Sequence, residues 1–131
     1  MTLMKIKIMK NYTDITQSKK LVEILPKESA NAFYDMAEPE KRQVPIIGHP
    51  DEYYDMKDWA IPCWSLAALL QIMPHCIDDI YDLVLGKLSD NKGWYVMYDD
   101  IDHFVYLYIA KSDLIDACVE MILKLHEQKL I

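Results

Sequence analysis

Two adjacent hydrophobic patterns in residues 103–127 constrain the fold of this chain more than any other feature. From 103 to 109 the residues alternate with the two-residue period of a β-strand. One face would carry Val105, Leu107 and Ile109, and the other Phe104, Tyr106 and Tyr108. After Ser112, which we expect to cap a helix, apolar residues recur at helical spacing at Leu114, Ala117, Cys118, Met121, Ile122 and Leu125. The sequence therefore predicts a strand whose aliphatic face is covered by helices, followed by an amphipathic helix.

Two further strands are predicted before this one. Residues 93–98 have strand-like composition, whereas residues 80–88 fit either a strand or a helix by their periodicity. Gly86 and the turn-forming residues 90–93 favour the strand. Residues 99–102, Asp-Asp-Ile-Asp, are typical of a turn. Together these segments predict a three-stranded antiparallel meander.

Capping residues and prolines delimit two earlier helices. The first should begin after a cap at Thr13 or Asp14 and end before Pro26. The second should begin at Pro62, where a missing N–H costs nothing, and end before Pro74. Because this second segment is apolar all round, we expect it to be the central core helix.

The fold class follows from these elements. Residues 32–36 and 44–47 are predicted to be short edge strands within a segment rich in proline and charge. We expect an α+β fold in which three helices pack on one face of a small antiparallel sheet. Residues 1–131 would form one domain, with residues 1–12 as either a flexible tail or a short strand.

Charge and cysteine content narrow the classes of partner and the compartment. Lys and Arg number 14 against 21 Asp and Glu, a net charge of −7, which disfavours nucleic acid and anionic membrane as partners. Lysines interrupt the apolar residues at the start of the sequence, and no stretch is apolar enough to predict a membrane span. Three cysteines without a CxxC pair indicate free thiols. We expect a cytoplasmic protein.

A cysteine nucleophile is the one catalytic hypothesis that the sequence raises. Cys63 would lie in the first turn of the predicted second helix, where the helix dipole lowers a thiol pKa. His103 would lie at the start of a later strand, in the order found in papain-like peptidases. The glycine-rich flanks of that family are absent, and no Asn or Asp follows on a strand to orient His103. The alternative is that Cys63 is a small apolar core residue.

The aromatic residues raise a different hypothesis. Six of them fall on the last two predicted strands: Trp94, Tyr95, Tyr98, Phe104, Tyr106 and Tyr108. With helices on only one sheet face, part of this set would form an exposed interaction surface. Alternatively, residues 32–47 fold back and cover it. The acidic and histidine-containing clusters lack metal-binding spacing, so we expect no metal and no cofactor.

Three segments carry a family resemblance. They are DITQSKKLVEILPKESA (14–30), IPCWSLAALLQIMP (61–74) and DACVEMILKLHE (116–127). In these segments the chain resembles a family of small uncharacterised proteins frequent in Bacteroidales genomes, prophages and mobile elements. The resemblance implies a mobile-element setting and an intracellular location, but no chemistry. We therefore expect a non-catalytic accessory or interaction protein, with a homodimer or another protein as partner; the alternative is a small cysteine-dependent hydrolase that uses Cys63 and His103.

Overall fold

A computed structural model describes residues 9–37, 44–48 and 59–131, and it confirms an α+β fold. The helices are α1 (Ile15–Val22), α2 (Leu66–Ile72) and α3 (Leu114–Glu127). The strands are β1 (Ala32–Asp35), β2 (Ile46–Ile47), β3 (Ala60–Cys63), β4 (Cys76–Ile77), β5 (Tyr81–Lys87), β6 (Trp94–Asp99) and β7 (Val105–Lys111). They form two antiparallel sheets, one in the order β2-β1-β3 and one in the order β4-β5-β6-β7.

The prediction of a single sheet is therefore wrong. The first sheet forms because β1 pairs along its whole length with β3, from Ala32 opposite Cys63 to Asp35 opposite Ala60. The helices divide between the two sheets: α1 contacts β3, whereas α3 contacts β6 and β7. Helix α2 packs against α3. β1 lies in the middle of its sheet, so it is not the edge strand that the proline-rich surroundings predicted.

The helix predicted over residues 62–73 is also wrong at its start. Residues 60–63 are strand β3, and the helix begins only at Leu66. Among the strands that the structure describes, β3 lies at the edge of its sheet, which is where proline is tolerated. The side chain of Ser65 caps α2 by accepting a hydrogen bond from the Ala68 N–H. Only Ala68 and Leu69 of α2 are buried, so α2 is not the central core helix.

The predicted meander is confirmed and gains a fourth strand. β5, β6 and β7 pair in sequence, and the two-residue strand β4 adds to the free side of β5. The turn between β5 and β6 contains Asp90 and Asn91 at positive φ, and the Leu88 N–H donates to the Gly93 carbonyl. Asp and Asn are the residues that adopt this left-handed conformation most readily after glycine. The turn residues therefore explain why residues 81–87 form a strand and not a helix.

Buried apolar side chains concentrate around α3. Its eight buried residues pack with Leu21 and Leu25 near α1, with Leu69 of α2, and with Val96 and Leu107 of the four-stranded sheet. Trp64 is fully buried in the same cluster, and its indole N–H donates to the Ser29 hydroxyl. Asp113, not Ser112, caps α3 by accepting from the Ile115 N–H. The predicted apolar stripe of α3 is thus the centre of the core.

A polar cluster ties the beginnings of α1 and α3 together. The Lys10 ammonium lies 2.9 Å from Asp14 and 2.7 Å from Asp116, and the Lys10 N–H donates to Asp113. Partial desolvation opposes the charge of Lys10, but the hydrogen bonds and charges of Asp116 and Asp14 outweigh it and raise the Lys10 pKa. Asp14 also caps α1 by accepting from the Gln17 N–H. The cluster fixes α1 against α3 at the protein surface.

No helix in the described ranges 9–37, 44–48 and 59–131 is both long and apolar enough to cross a membrane.

Candidate interaction surface

The side of the four-stranded sheet turned away from α3 carries a surface that we call the outer face. It follows from the strand register: Val84 pairs with Met97 and Met97 with Tyr108, while Gly86 pairs with Tyr95 and Tyr95 with Ala110. Their neighbours on the opposite side belong to the core, namely Leu83, Leu85, Val96, Tyr98, Leu107 and Ile109. The outer face therefore consists of Val84, Gly86, Tyr95, Met97, Tyr108 and Ala110, with Val105 and Asp82 at one end.

This outer face is apolar and accessible. Tyr108 is 48% exposed and Val105 is 53% exposed, and Val84, Tyr95 and Met97 are half-buried. In the turn before β7, Phe104 is 71% exposed. The expectation that Tyr108 and Phe104 face outward is confirmed. Sequence reasoning missed Val84 and Met97, although the alternation of β5 could have identified Val84 once its register was known. It also placed Val105 on the face covered by helices, which is wrong because the register shift between β6 and β7 pairs Val105 with Asp99.

Two of the six predicted aromatic residues lie on the other side of the sheet. Tyr98 is fully buried, and its hydroxyl donates to the Pro74 carbonyl at 2.7 Å. Trp94 packs against the core, with the Lys87 ammonium 5.2 Å from its ring centroid. Side chains alternate along β6, so Trp94 and Tyr98 lie on the same side of the strand as Val96, which faces α3. Tyr98 is therefore a core residue and Trp94 a boundary residue, and neither belongs to the outer face.

A β-bulge corrects the expected position of Tyr106. Tyr98 pairs with Leu107 but Asp99 pairs with Val105, so Tyr106 is an extra residue in β7. Its ring stacks on Tyr81 with centroids 4.7 Å apart, and its hydroxyl donates to the Gln128 side chain at the end of α3. Tyr81 itself packs against the core. The Tyr106 side chain thus lies toward α3. The prediction that Tyr106 shares one face with Phe104 and Tyr108 is therefore wrong.

Stacked tyrosines organise the middle of the outer face. The Tyr95 ring lies directly over Gly86, where a Cβ atom would collide with it. Tyr95 and Tyr108 stack with ring centroids 6.0 Å apart and an angle of 19° between their planes. A glycine covered by a cross-strand aromatic ring is a known way to stabilise a strand interior that lacks a side chain. The result is a flat aromatic surface held by its own packing.

The end of the outer face near the β6–β7 turn is acidic. Asp82 pairs with Asp99 across β5 and β6, and Asp100 and Asp102 follow in the turn. Asp100 braces the turn by accepting from the N–H groups of Asp102 and Phe104. His103 has a left-handed backbone, and its Nδ1 lies 3.3 Å from the Asp99 carboxylate. This carboxylate is the observed partner of the His103 ring.

The residues of the hydrolase hypothesis lie in different sheets. Cys63 ends β3 and is fully buried in a small cluster with Ala32 and Tyr34. Burial raises the pKa of the Cys63 thiol to about 12, the opposite of what a nucleophile needs. His103 lies in the turn of the other sheet with 87% of its side chain exposed. Since Cys63 is not in a helix, the dipole argument for activating it no longer applies.

Thiol labelling should follow this placement. Cys63 and Cys118 are buried, whereas Cys76 is partly exposed. We expect iodoacetamide to modify Cys76 in the native protein and all three cysteines after unfolding in urea, as counted by intact mass. Buried thiols react only through opening, so their labelling should be at least about 1,000-fold slower than in the unfolded chain. A Cys76→Ser control should remain unmodified under native conditions; rapid labelling of Cys63 would revive the nucleophile hypothesis.

No group of three or more His, Cys, Asp or Glu residues within the described part of the chain is placed to hold a metal ion.

The alternative that residues 32–47 cover the outer face receives no support from the part of this segment that the structure describes. Strands β1 and β2 pair with each other, and β1 pairs with β3, in the separate three-stranded sheet. Residues 38–43 lie outside the described ranges.

Comparison with known proteins does not assign this chain to a family. The chain matches no protein-family model, and neither a curated protein nor a solved structure is significantly similar to it.

Proposed function

We propose that this protein is a non-catalytic accessory protein that binds another protein through the outer face. The observation that carries the proposal is the apolar surface of Val84, Tyr95, Met97 and Tyr108, extended by Val105. Aromatic residues and methionine are enriched at protein interfaces, where they bury large areas at little conformational cost. A contiguous apolar surface of this kind on one side of a sheet is a feature of interaction sites.

The charge at the edge of the outer face defines the chemistry of the partner. The exposed Asp82 lies at one end of it, beside the acidic turn that contains Asp100 and Asp102. A complementary surface would be apolar in its centre and carry Lys or Arg at the matching end. The net charge of −7 weighs against nucleic acid, whose phosphates would repel this surface.

The cellular setting remains part of the proposal. The resemblance to small proteins of prophages and mobile elements supports an accessory role in the cytoplasm of a bacterial host. A protein that acts by binding needs no catalytic group, and the buried thiol of Cys63 gives the hydrolase alternative no support.

Site-specific photocrosslinking tests the proposed binding site. A benzoylphenylalanine at Met97, in the centre of the outer face, should capture a discrete partner in the native host. The same residue at Glu120, on the exposed side of α3, is the matched control and should not capture it. Replacing Tyr108 with Ser in the Met97 crosslinking variant should reduce the yield, because it removes half of the stacked pair. Identical products from both positions, or none from Met97, would overturn the proposal.

A further inference from the structure

Strand β7 offers a free edge as well as an exposed face. In the order β4-β5-β6-β7 it is the last strand, and within the described residues it pairs only with β6. An edge strand presents a row of backbone N–H and C=O groups that another strand can pair with. β7 is seven residues long, and from Val105 to Ala110 it carries no charged side chain and no proline.

The two edges of the four-stranded sheet are protected to different degrees. At the edge opposite β7, the short strand β4 covers part of β5, and β5 carries the charged residues Asp82 and Lys87. Charges and short edge strands are common devices against edge-to-edge pairing. β7 has only the bulge at Tyr106 and the terminal Lys111, and residues 107–111 form a regular strand whose outer edge no other described strand occupies.

The charges at the two ends of β7 are complementary to each other. The strand begins at the acidic turn, which contains Asp100 and Asp102, and it ends at the exposed Lys111. In an antiparallel pair of two β7 strands, the end of each strand lies toward the start of the other. Lys111 of each copy would then face the acidic turn of its partner, whereas a parallel pair would place like charges side by side.

We propose that a second copy of this chain pairs with β7 in antiparallel orientation, joining two four-stranded sheets into one continuous sheet. Such pairing is self-complementary, as a two-fold symmetric interface requires. It deepens the proposed function and rests on it, because it places two outer faces side by side and doubles the surface presented to a partner. In the register that places Lys111 opposite Val105, next to the acidic turn of the partner copy, Tyr108 of each copy lies at the two-fold axis.

Sedimentation equilibrium of the whole chain, with charge-reversal variants, tests this pairing. The wild-type protein should be a dimer at micromolar concentration. Lys111→Glu and Asp102→Lys should each weaken the dimer by roughly 5- to 30-fold, since two symmetric charge pairs turn repulsive. The double variant should recover most of the affinity. Lys124→Glu on α3 makes the same charge change away from β7 and should have no effect.

A stronger variant addresses the centre of the pair. Tyr108→Glu places two like charges near the two-fold axis and should weaken the dimer at least about 100-fold. Circular dichroism of each variant checks that the fold is intact. A monomeric wild-type protein would overturn the proposal, as would a dimer that none of these changes affects. In these cases capture from Met97 would leave the proposed function standing.

Discussion

Replacing Gly93 with Ala should destabilise the protein by more than about 3 kcal/mol, a large part of the stability of a small domain. Gly93 has a φ of +132°, a conformation that residues with a Cβ rarely adopt. The added methyl group would also collide with the Lys111 carbonyl and approach the Ser112 Cα to 2.8 Å. Both obstacles are backbone atoms, so no side-chain rotation can relieve them. Urea unfolding followed by circular dichroism measures the loss.

Gly86→Ala is the matched control. The three atoms nearest to its Cβ would all belong to the Tyr95 ring, the end of a side chain that can shift, so we expect a cost of about 1–2 kcal/mol. In a Tyr95→Ala background this cost should disappear, because the obstacle is gone. If Gly93→Ala were as mild as Gly86→Ala, the close approach of the β5–β6 turn to the end of β7 would be wrong.

Replacing Thr13 with Val should cost on the order of 3 kcal/mol, although the two side chains have nearly the same shape. Thr13 is fully buried, and its hydroxyl accepts from the Trp64 N–H at 3.1 Å and bonds the Ser18 hydroxyl at 2.8 Å. Valine leaves the Trp64 N–H buried without an acceptor, and such a group costs about 1–3 kcal/mol. Loss of the bond to Ser18 adds to this. The free energy of unfolding in urea is again the measurement.

Thr13→Ser separates the hydroxyl from the methyl group. Serine keeps the hydroxyl and loses one methyl, so it should cost about 1 kcal/mol. A cost near zero for valine, with the loss for serine unchanged, would show that Thr13 contributes through packing alone. The backbone bond from the Thr13 N–H to the Trp64 carbonyl remains in both variants.

Local patterns in the sequence predicted the second half of the fold well. The meander and α3 follow from alternation, turn residues and helical spacing, each of which acts over a few residues. The error at residues 62–65 has a different origin. Pro62 fits the first turn of a helix and an edge strand equally well, and only pairing with β1, some 30 residues away, selects the strand. Ser65, a standard capping residue, was the local signal that marked the true start of α2.

The candidate surface was predictable only where local side-chain alternation determines it. Alternation placed Phe104 and Tyr108 outward, and the structure agrees. It could not place Tyr106, because a bulge depends on the register of β6 against β7, which no single strand specifies. Nor could it tell that Tyr98 faces the core, since β6 is rich in large apolar residues on both sides. The pairing register of the strands, and not their amino-acid composition, therefore determines which aromatic residues are exposed on the outer face.

The contact between α1 and α3 has a consequence for how the protein is made. Lys10 reaches Asp116 across 106 residues of sequence, and Leu21 is buried in the same core as α3. During synthesis, α1 therefore emerges long before the helix that completes its binding site. Contacts of such long sequence separation slow folding, because the intervening loop must be closed first. The nascent chain would expose the apolar side of α1 until α3 leaves the ribosome, a period in which chaperones have a ready binding site.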